Sequence, residues 1–254
     1  MNDSCLIVIP ARLASTRLPE KLLLRAGGKP VLQHTYEAAK KSTTANRVVV
    51  AVDDQRLAEQ VDSFGGEWMM TSVDCASGTD RIAEVAAAIP DFEYFINVQG
   101  DEPEIKAETI DAVGEALIKN NQVDIATAAT AITTPDSLAD PSVVKVVLAN
   151  FTAGQGRAVY FSRSPVPYVR DTSESNANQI PNVHWHHVGL YAYRRDFLTW
   201  FANQPAGLLE QVEKLEQLRA LEAGKRIDVV QIPNAAPGID TQADFDAFKT
   251  RVEA

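Results

Sequence analysis

Runs of consecutive apolar residues alternate with amphipathic segments over the first 120 residues of the chain. The apolar runs at 6–9, 47–52 and 94–98 have the length and the β-branched composition of buried strands. Strands without polar alternation are covered on both faces, as in parallel sheets. The alternation therefore predicts a parallel sheet with helices on both faces. The predicted helices lie at 30–41, 55–64, 80–89 (with Thr79 as its N-cap) and 107–119, and a further short strand lies at 68–71.

The pattern changes after residue 120, because strands then follow one another without helices of equal length between them. We expect one domain over 1–254, in which residues from about 125 to 205 form a mixed-sheet insertion that acts as a lid or dimerisation surface. The polar stretch 171–182 is predicted to be an exposed loop. The remaining predicted strands lie at 125–132, 143–149, 158–162, 184–193 and 226–232, and the remaining helices at 208–223 and 243–252.

Composition and charge exclude several classes of function. Apolar residues make up 45% of the 254 positions, which is enough for a folded core. The formal net charge of −10 argues against nucleic acid as a partner, although one loop can still present a positive field to a nucleotide. No apolar run approaches the ~18 residues of a membrane span, and the first residues lack the basic start of a secretory signal. Cys5 and Cys75 lack CxxC spacing, so we expect reduced thiols in a cytoplasmic protein.

A cationic loop follows the first predicted strand. Pro10, which has no N–H to donate, is expected to stop strand pairing there. The next residues include three cations and two hydroxyls, and the crevice at the carboxyl end of a strand is where open α/β sheets bind ligands. Such a loop suits a polyphosphate, and the alternative is a solvated loop with scattered charge. It matches neither the P-loop nor the dinucleotide fingerprint, and its polar members are Arg12, Ser15, Thr16, Arg17 and Lys21.

Two aspartates at separate strand ends indicate a metal site. Asp101 follows a buried strand and Gly100, which allows close backbone approach. Asp240 also comes after a strand, so the two carboxylates are able to meet across the crevice. Mg²⁺ on a nucleotide phosphate is usually held by one or two carboxylates. The alternative for each is an aspartate that caps a turn.

Three histidines and three glutamates form further candidate sites. Zinc is one interpretation of the histidines, but a single histidine facing a substrate fits a strand better, because neighbouring residues point to opposite faces. The glutamates recur every third residue of a predicted helix, where they are either a solvated face or ligands of sugar hydroxyls. Arg163 ends a strand and either faces the crevice or forms a surface ion pair. The histidines are His184, His186 and His187, and the glutamates are Glu210, Glu213 and Glu216.

Taken together, these motifs closely resemble the 3-deoxy-manno-octulosonate cytidylyltransferases, also called CMP-Kdo synthetases. The matching segments follow the order of that family over nearly the whole chain. They are 9–21, 70–71, 77–79, 97–103, 144–147, 160–163, 187–193, 209–219 and 238–241.

The resemblance implies an α/β fold, a Rossmann-like nucleotidyltransferase three-layer sandwich with a smaller dimerisation part, and a homodimer. It also implies transfer of CMP from CTP to 3-deoxy-D-manno-octulosonate (Kdo), which gives CMP-Kdo and pyrophosphate for lipopolysaccharide biosynthesis. Mg²⁺ would be bound by Asp101 and Asp240. The CTP phosphates would be bound by Arg12, Ser15, Arg17 and Lys21, and the cytidine pocket would be lined by Thr71, Ser77 and Gly78. The sugar acid would be faced by Gln99, Arg163, His187, Tyr191 and Glu216.

The chain departs from the family pattern at two places, and two rival functions remain open. The family often has glycine where this chain has Glu20, and arginine where it has His186. One rival is a CMP-sialate synthetase, which performs the same chemistry on another ulosonic acid. The other is a nucleotide-sugar sensor without catalysis, which would not need the two aspartates.

Overall fold

A computed structural model describes residues 4–170 and 182–254. The predicted exposed loop at 171–182 falls almost wholly outside the described residues. The strands of the main sheet are β1 Cys5–Ala11, β4 Arg47–Val52, β5 Trp68–Met70, β6 Tyr94–Asn97, β7 Ile125–Ala131, β8 Lys145–Thr152, β9 Gln155–Ser162, β10 Trp185–Arg194 and β11 Ile227–Gln231, and a separate two-stranded ribbon consists of β2 Arg25–Ala26 and β3 Lys29–Pro30.

Helices cover both faces of this sheet. None of those in the described residues is both long enough and apolar enough to cross a membrane. They are α1 Val31–Ala39, α2 Gln55–Ser63, α3 Gly78–Ala88, α4 Ala107–Ile118, α5 Pro135–Ala139, α6 Arg195–Ala202, α7 Leu208–Glu213, α8 Gln217–Glu222 and α9 Gln242–Glu253.

The predicted three-layer arrangement is confirmed by the two cores that flank the sheet. In β1, Ile7 and Ile9 belong to the core under α1, α2, α4 and α9. Leu6 and Val8, between them, belong to the core under α3, α6 and α8. All four side chains are fully buried, which explains why the sequence of this strand is a continuous apolar run.

The sheet is parallel on one side and mixed on the other. Its strand order is β5-β4-β1-β6-β10-β7-β11-β9-β8, and β10 runs antiparallel to both β6 and β7. The last strand, β8, also pairs with the start of β10 through Trp185 and His186. Strands β10, β7, β11, β9 and β8 therefore close into a ring. The strands of residues 125–194 thus continue the main sheet, and their role as a lid or dimerisation surface stays a prediction.

A bulge in β10 marks the point where the sheet divides. Its pairing with β7 shifts register between Val188 and Tyr191. Beyond the bulge, the strand pairs with β6 from Tyr191 onward. The Thr127 hydroxyl lies 3.1 Å from the Val188 carbonyl oxygen and 2.8 Å from that of Leu190, so the irregular backbone has a polar partner inside the protein.

Several sequence predictions about local structure were wrong. Pro10 does not stop pairing, because β1 continues to Ala11. Val8 and Pro10 direct their backbone groups to the β6 side, and β6 pairs with β1 only as far as Asn97, so the missing N–H interrupts no ladder there. The cap of α3 is Ser77, not Thr79, since its hydroxyl oxygen accepts a bond from the Asp80 backbone N–H.

The predicted helix at 208–223 is two helices. Lys214 adopts a left-handed conformation, with φ of 55°, between α7 and α8. The apolar spacing continues through this residue, so periodicity alone did not reveal the break. Helices α5 and α6 and the β2–β3 ribbon were not predicted.

Candidate functional site

Lys21 lies at the centre of the predicted phosphate and metal site. Its ammonium contacts a carboxylate oxygen of Asp101, and it donates to Asp240 Oδ1 at 3.0 Å and to the Ile239 carbonyl at 2.9 Å. Burial lowers the pKa of Lys21, but the charges and hydrogen bonds of the two aspartates outweigh burial, so the pKa is raised. The two aspartates therefore do meet, and in this structure the group between them is a lysine ammonium.

The cationic loop borders a cavity of about 320 Å³ at the carboxyl ends of β1 and β6. Arg17 reaches Asp240 Oδ1 at 2.8 Å, and Arg12 donates to the Cys75 carbonyl at 2.7 Å. Ser15 also lines this cavity. The structure thus brings Arg12, Ser15, Arg17 and Lys21 together with both aspartates, as the sequence predicted.

Gly100 allows the loop that carries Asp101 to pack closely against the cationic loop. A Cβ at this position would come within 2.9 Å of the Pro10 carbonyl oxygen, which is closer than real Cβ atoms approach backbone oxygens. The glycine is therefore needed for close packing of two backbones, and this packing holds Asp101 beside Lys21.

The carboxylates fit a hard divalent cation. Asp101 and Asp240 offer oxygen ligands that converge on one positively charged point. No group of three His, Cys, Asp or Glu residues within the described part of the chain would hold a metal by itself. Two carboxylates with substrate phosphates and waters are the usual set for Mg²⁺, so the donor chemistry fits that ion with a bound nucleotide.

A second cavity, of about 290 Å³, lies next to the first. Gly78 and Gln99 line both cavities, and they mark the junction between them. Gln99 donates from Nε2 to the Gly189 carbonyl at 3.2 Å, in the β10 bulge. Gly78 is the first residue of α3, so the N-terminal end of that helix lies at the junction.

Besides Gln99, two more of the predicted sugar ligands line this second cavity. Tyr191 stacks on Tyr193 with ring centroids 5.7 Å apart, and burial raises the pKa of Tyr191, so its phenol stays protonated. Glu216 accepts a bond from the Thr79 hydroxyl at 2.9 Å. Burial raises the pKa of the Glu216 carboxyl, and the bond from Thr79 opposes that rise.

Two polar atoms in the same cavity were missed by the sequence analysis. Asn97 Oδ1 and Gln217 Nε2 are buried and have no hydrogen-bond partner among the described residues. Both side chains line the second cavity. Unpaired buried polar atoms are costly, so this cavity is suited to a ligand with hydroxyls that donate and accept. Gln217 falls within a helical pattern, and only its burial distinguishes it from a surface glutamine.

His187 lies behind the cavity lining. Its Nε2 is 3.1 Å from the Thr127 hydroxyl, and its ring packs edge-on against Phe161 with centroids 4.9 Å apart. Burial lowers the pKa of His187 to about 3, with a smaller effect from His186. Its position next to Tyr191, at 5.3 Å between ring centroids, makes it a support for that ring in this structure.

Arg163 does not line either cavity. Its Nε donates to the Glu213 carbonyl at 2.8 Å, and its two terminal nitrogens donate to the carbonyls of Pro141 and Lys214. Direct contact with a sugar carboxylate would require these three bonds to be exchanged. The predicted role of Arg163 as a substrate ligand thus stays a prediction, and the geometry favours an indirect role.

The three glutamates do not form one group, because the break at Lys214 separates them. Glu210 pairs with Arg219 through both carboxylate oxygens, at 2.6 and 2.7 Å. Glu213 accepts from the Ser162 hydroxyl at 2.7 Å. Of the three, only Glu216 lines the second cavity.

The predicted cytidine residues lie at the ends of β5 and α3. Thr71 is buried, and its hydroxyl donates to the Val52 carbonyl at 2.9 Å and also contacts Arg81. Ser77 donates to Asp80 Oδ2 at 2.9 Å and caps α3. These contacts leave Gly78 as the predicted cytidine residue that lines a cavity, and the assignment of all three stays a prediction.

A buried ion pair below the loop was also missed. Arg81 is fully buried and lies 3.2 Å from Asp53 Oδ2, while Asp53 Oδ1 accepts from the Leu13 backbone N–H at 3.0 Å. This pair connects α3 to the cationic loop. Asp53 and Asp54 are visible in the sequence as two acidic residues directly after a strand. The partner of Asp53 is not visible, because Arg81 lies 28 residues away from it.

Comparisons with known proteins agree with this geometry. A family model described as cytidylyltransferase matches residues 6–227. A 3-deoxy-manno-octulosonate cytidylyltransferase of Rhodopirellula baltica is 60% identical over 98% of this chain and 99% of that protein. One from Geobacter sulfurreducens is 48% identical over 94% and 95% of the two chains. A solved structure of CMP:2-keto-3-deoxy-manno-octonic acid synthetase complexed with CTP superposes with a TM-score of 0.89, at 39% identity over 98% of each chain.

Proposed function

This chain belongs to the cytidylyltransferase family, and from that premise we propose that it transfers CMP from CTP to 3-deoxy-manno-octulosonate, with release of pyrophosphate. The resemblance found in the sequence motifs is confirmed by relatives that match nearly the whole chain. The observation that carries the proposal is the junction of two unlike cavities at Gly78 and Gln99. One is bordered by cations and carboxylates, and the other by hydrogen-bonding and aromatic groups.

On the nucleotide side, the triphosphate occupies the first cavity. Arg12 and Arg17 contact its oxygens with fixed planar forks, and Lys21 contributes a compact charge. The hydroxyl of Ser15 adds a neutral donor. The N-terminal end of α3 at Gly78 lies next to this site, and its backbone dipole favours the negative α-phosphate.

Asp101 and Asp240 hold the metal in this proposal, in place of their contacts with Lys21. A bound Mg²⁺ would offset charge on the phosphoryl oxygens and on the leaving pyrophosphate, and would lower the pKa of a coordinated hydroxyl. The ammonium of Lys21 then contacts the phosphates, which lie in the same cavity.

On the acceptor side, the sugar occupies the second cavity with its anomeric hydroxyl toward the junction. Tyr191 donates to sugar oxygens, while Gln99 and Glu216 accept or donate according to their protonation and orientation. The anomeric hydroxyl gives its proton to water, and its oxygen forms a bond to the α-phosphorus as the bond between that phosphorus and pyrophosphate breaks in line. The chain contributes mainly position and charge compensation, as is usual for transfer of phosphoryl groups.

Pyrophosphate release from CTP, with and without added sugar acid, tests this function. We expect release that depends on Kdo and Mg²⁺, and much weaker release with sialic acid. Release with sialic acid alone would favour the rival synthetase. CTP binding without release from any ulosonic acid would favour the nucleotide-sugar sensor.

The two aspartates are tested by Asp101→Asn and Asp240→Asn. Each change keeps the shape of the side chain and removes the charge, so we expect turnover to fall by at least about 100-fold, as when one electrostatic group is lost from an active site. The retained fold is checked by circular dichroism. Near-normal turnover in either variant would remove that residue from the proposed metal site.

We further propose a cytoplasmic homodimer, as the sequence resemblance implies. Light scattering of the purified chain measures the assembly directly. A monomer that has full activity would contradict this part of the proposal.

A further inference from the structure

One cationic residue is among those that line the second cavity in the described part of the chain. That residue is Lys214, and the carboxylate in the same lining is Glu216. The remaining lining residues are uncharged. A sugar acid that enters this cavity brings its own carboxylate close to Glu216, and it needs a positive partner to offset the loss of water around that charge.

The helix break is what brings Lys214 to the cavity together with Glu216. In a continuous helix, residues two apart point about 200° apart, on nearly opposite faces. Here α7 ends at Glu213, and Lys214 takes a φ of 55° before α8 begins at Gln217. Both Lys214 and Glu216 then line one cavity.

The end of β9 holds this break in place. Arg163 donates from Nε to the Glu213 carbonyl at 2.8 Å and from Nη2 to the Lys214 carbonyl at 3.3 Å. In return, the Glu213 carboxylate accepts from the Arg163 backbone N–H at 3.0 Å and from the Ser162 hydroxyl at 2.7 Å. Arg163 is therefore bonded to the backbone of Lys214 and not to the interior of the cavity.

We propose that Lys214 binds the carboxylate of the acceptor sugar acid, and that Arg163 is a positioning residue that holds Lys214 at the cavity. This inference rests on the proposed function and names the residue that makes the site prefer an acid to a neutral sugar.

The backbone at Lys214 supports the same inference. A left-handed conformation is unfavourable for a residue with a Cβ, and such outliers persist where the surrounding structure holds them. The side chain of Lys214 forms no ion pair with any other described residue, in contrast to Arg219, which is paired with Glu210. The ammonium is thus available to an incoming anion.

The direct test is Lys214→Met, which keeps most of the side-chain length and removes the charge. We expect the KM for the sugar acid to rise about tenfold or more, as for loss of a hydrogen bond to a charged group, with the KM for CTP unchanged. Lys119→Met is the matched control, because Lys119 is an exposed lysine that lines neither cavity.

A second readout separates charge recognition from a change in shape. The carboxamide of the same sugar acid has no negative charge, so the wild-type protein should bind it more weakly than the acid, and Lys214→Met should reduce that preference about tenfold. A structural defect would weaken the binding of the acid and of the carboxamide equally. An unchanged preference in Lys214→Met would overturn the inference.

Arg163→Lys distinguishes direct binding of the sugar carboxylate by Arg163 from an indirect role through Lys214. If Arg163 acts by positioning Lys214, this variant reduces the preference for the acid while Lys214 is present, and it causes no further loss of preference in the Lys214→Met background. Loss of the preference in Arg163→Lys together with its retention in Lys214→Met would make Arg163 the ligand and overturn the proposal. Absence of Kdo-dependent pyrophosphate release in the wild-type protein would instead refute the proposed function itself.

Discussion

At the residue scale, His187 shows how burial changes the role of a titratable side chain. In the sequence it stands in a run of polar histidines, and the alternation of a strand indicates only that it faces away from its neighbour. In the structure it is buried between Phe161 and Tyr191, with its Nε2 beside the Thr127 hydroxyl. Burial disfavours the imidazolium, so the ring is neutral throughout the physiological range.

The consequence is a stability that depends on pH. Because the folded pKa is about 3 and the reference value is 6.5, the unfolded chain binds a proton first as the pH falls. The contribution of His187 to stability is complete above pH 6.5 and is lost progressively toward pH 3. Burial also lowers the pKa of His186, so this residue likewise contributes less to stability as the pH falls. We expect His187 to account for a loss of roughly 2 kcal/mol in the free energy of unfolding between pH 6.5 and 4.5.

Urea unfolding of the wild type and of His187→Gln measures this effect. Glutamine keeps a hydrogen-bonding group near Thr127 but does not titrate, so the variant should lose less stability on acidification. Equal slopes of unfolding free energy against pH in the two proteins would contradict the assignment.

At the scale of single elements, the short 3-10 helix Lys21–Leu23 begins in an unusual way. Its N-cap, Glu20, has a φ of 51°, in the left-handed region that glycine adopts at little cost. The carboxylate of Glu20 pairs with Arg56 at 2.7 Å, so its charge is directed away from the ammonium of Lys21. This explains how a glutamate is accommodated where the resemblance led us to expect glycine.

Glu20→Gly should therefore stabilise the protein. Removal of the Cβ relieves the left-handed strain, and the lost ion pair is exposed and contributes little, so we expect a net gain of roughly 1 kcal/mol. Thermal unfolding measures the change. As a control, Arg56→Gln removes the ion pair with Glu20 and a contact with Asp54 at 3.3 Å, and it keeps the left-handed glutamate. A lower melting temperature for Glu20→Gly than for Arg56→Gln would show that the glutamate itself is needed.

Elements with a local signature were predicted well, whereas interruptions were not. Strand β1 was visible because burial on both faces requires an apolar side chain at nearly every position. The break at Lys214 was not, since the apolar spacing of α7 and α8 continues through it. The break depends on Arg163, which lies 51 residues away from Lys214, and no local pattern contains that information.

At the scale of the whole molecule, Lys21 connects segments that are far apart in the chain. Its partners Asp101 and Asp240 are 80 and 219 residues away. The sequence indicated each member of this site as a polar residue after a strand, because the carboxyl ends of strands border the crevice. It did not indicate that a lysine would lie between the aspartates, which is a property of the assembled sheet.

Lys21→Met should weaken both the fold and the site. The change leaves two neighbouring carboxylates without a shared partner, so we expect a loss of about 1–2 kcal/mol in unfolding free energy without divalent cations. CTP affinity should fall about tenfold or more. Adding Asp101→Asn to the Lys21→Met background should restore part of the stability. No recovery in the double variant would show that the aspartates do not repel each other.

The position of Lys21 also means that the protein supplies an internal counter-ion for its own aspartates. Together with Arg17, which also pairs with Asp240, Lys21 brings the local charge near neutrality, so the acidic pair does not need an external cation for the protein to stay folded. In the function proposed above, substrate entry is an exchange of partners, in which Lys21 gives up carboxylate oxygens as it gains phosphate oxygens. Such an exchange would keep the number of unpaired charges low at every stage, and it would link nucleotide binding to release of the two aspartates for their next ligand.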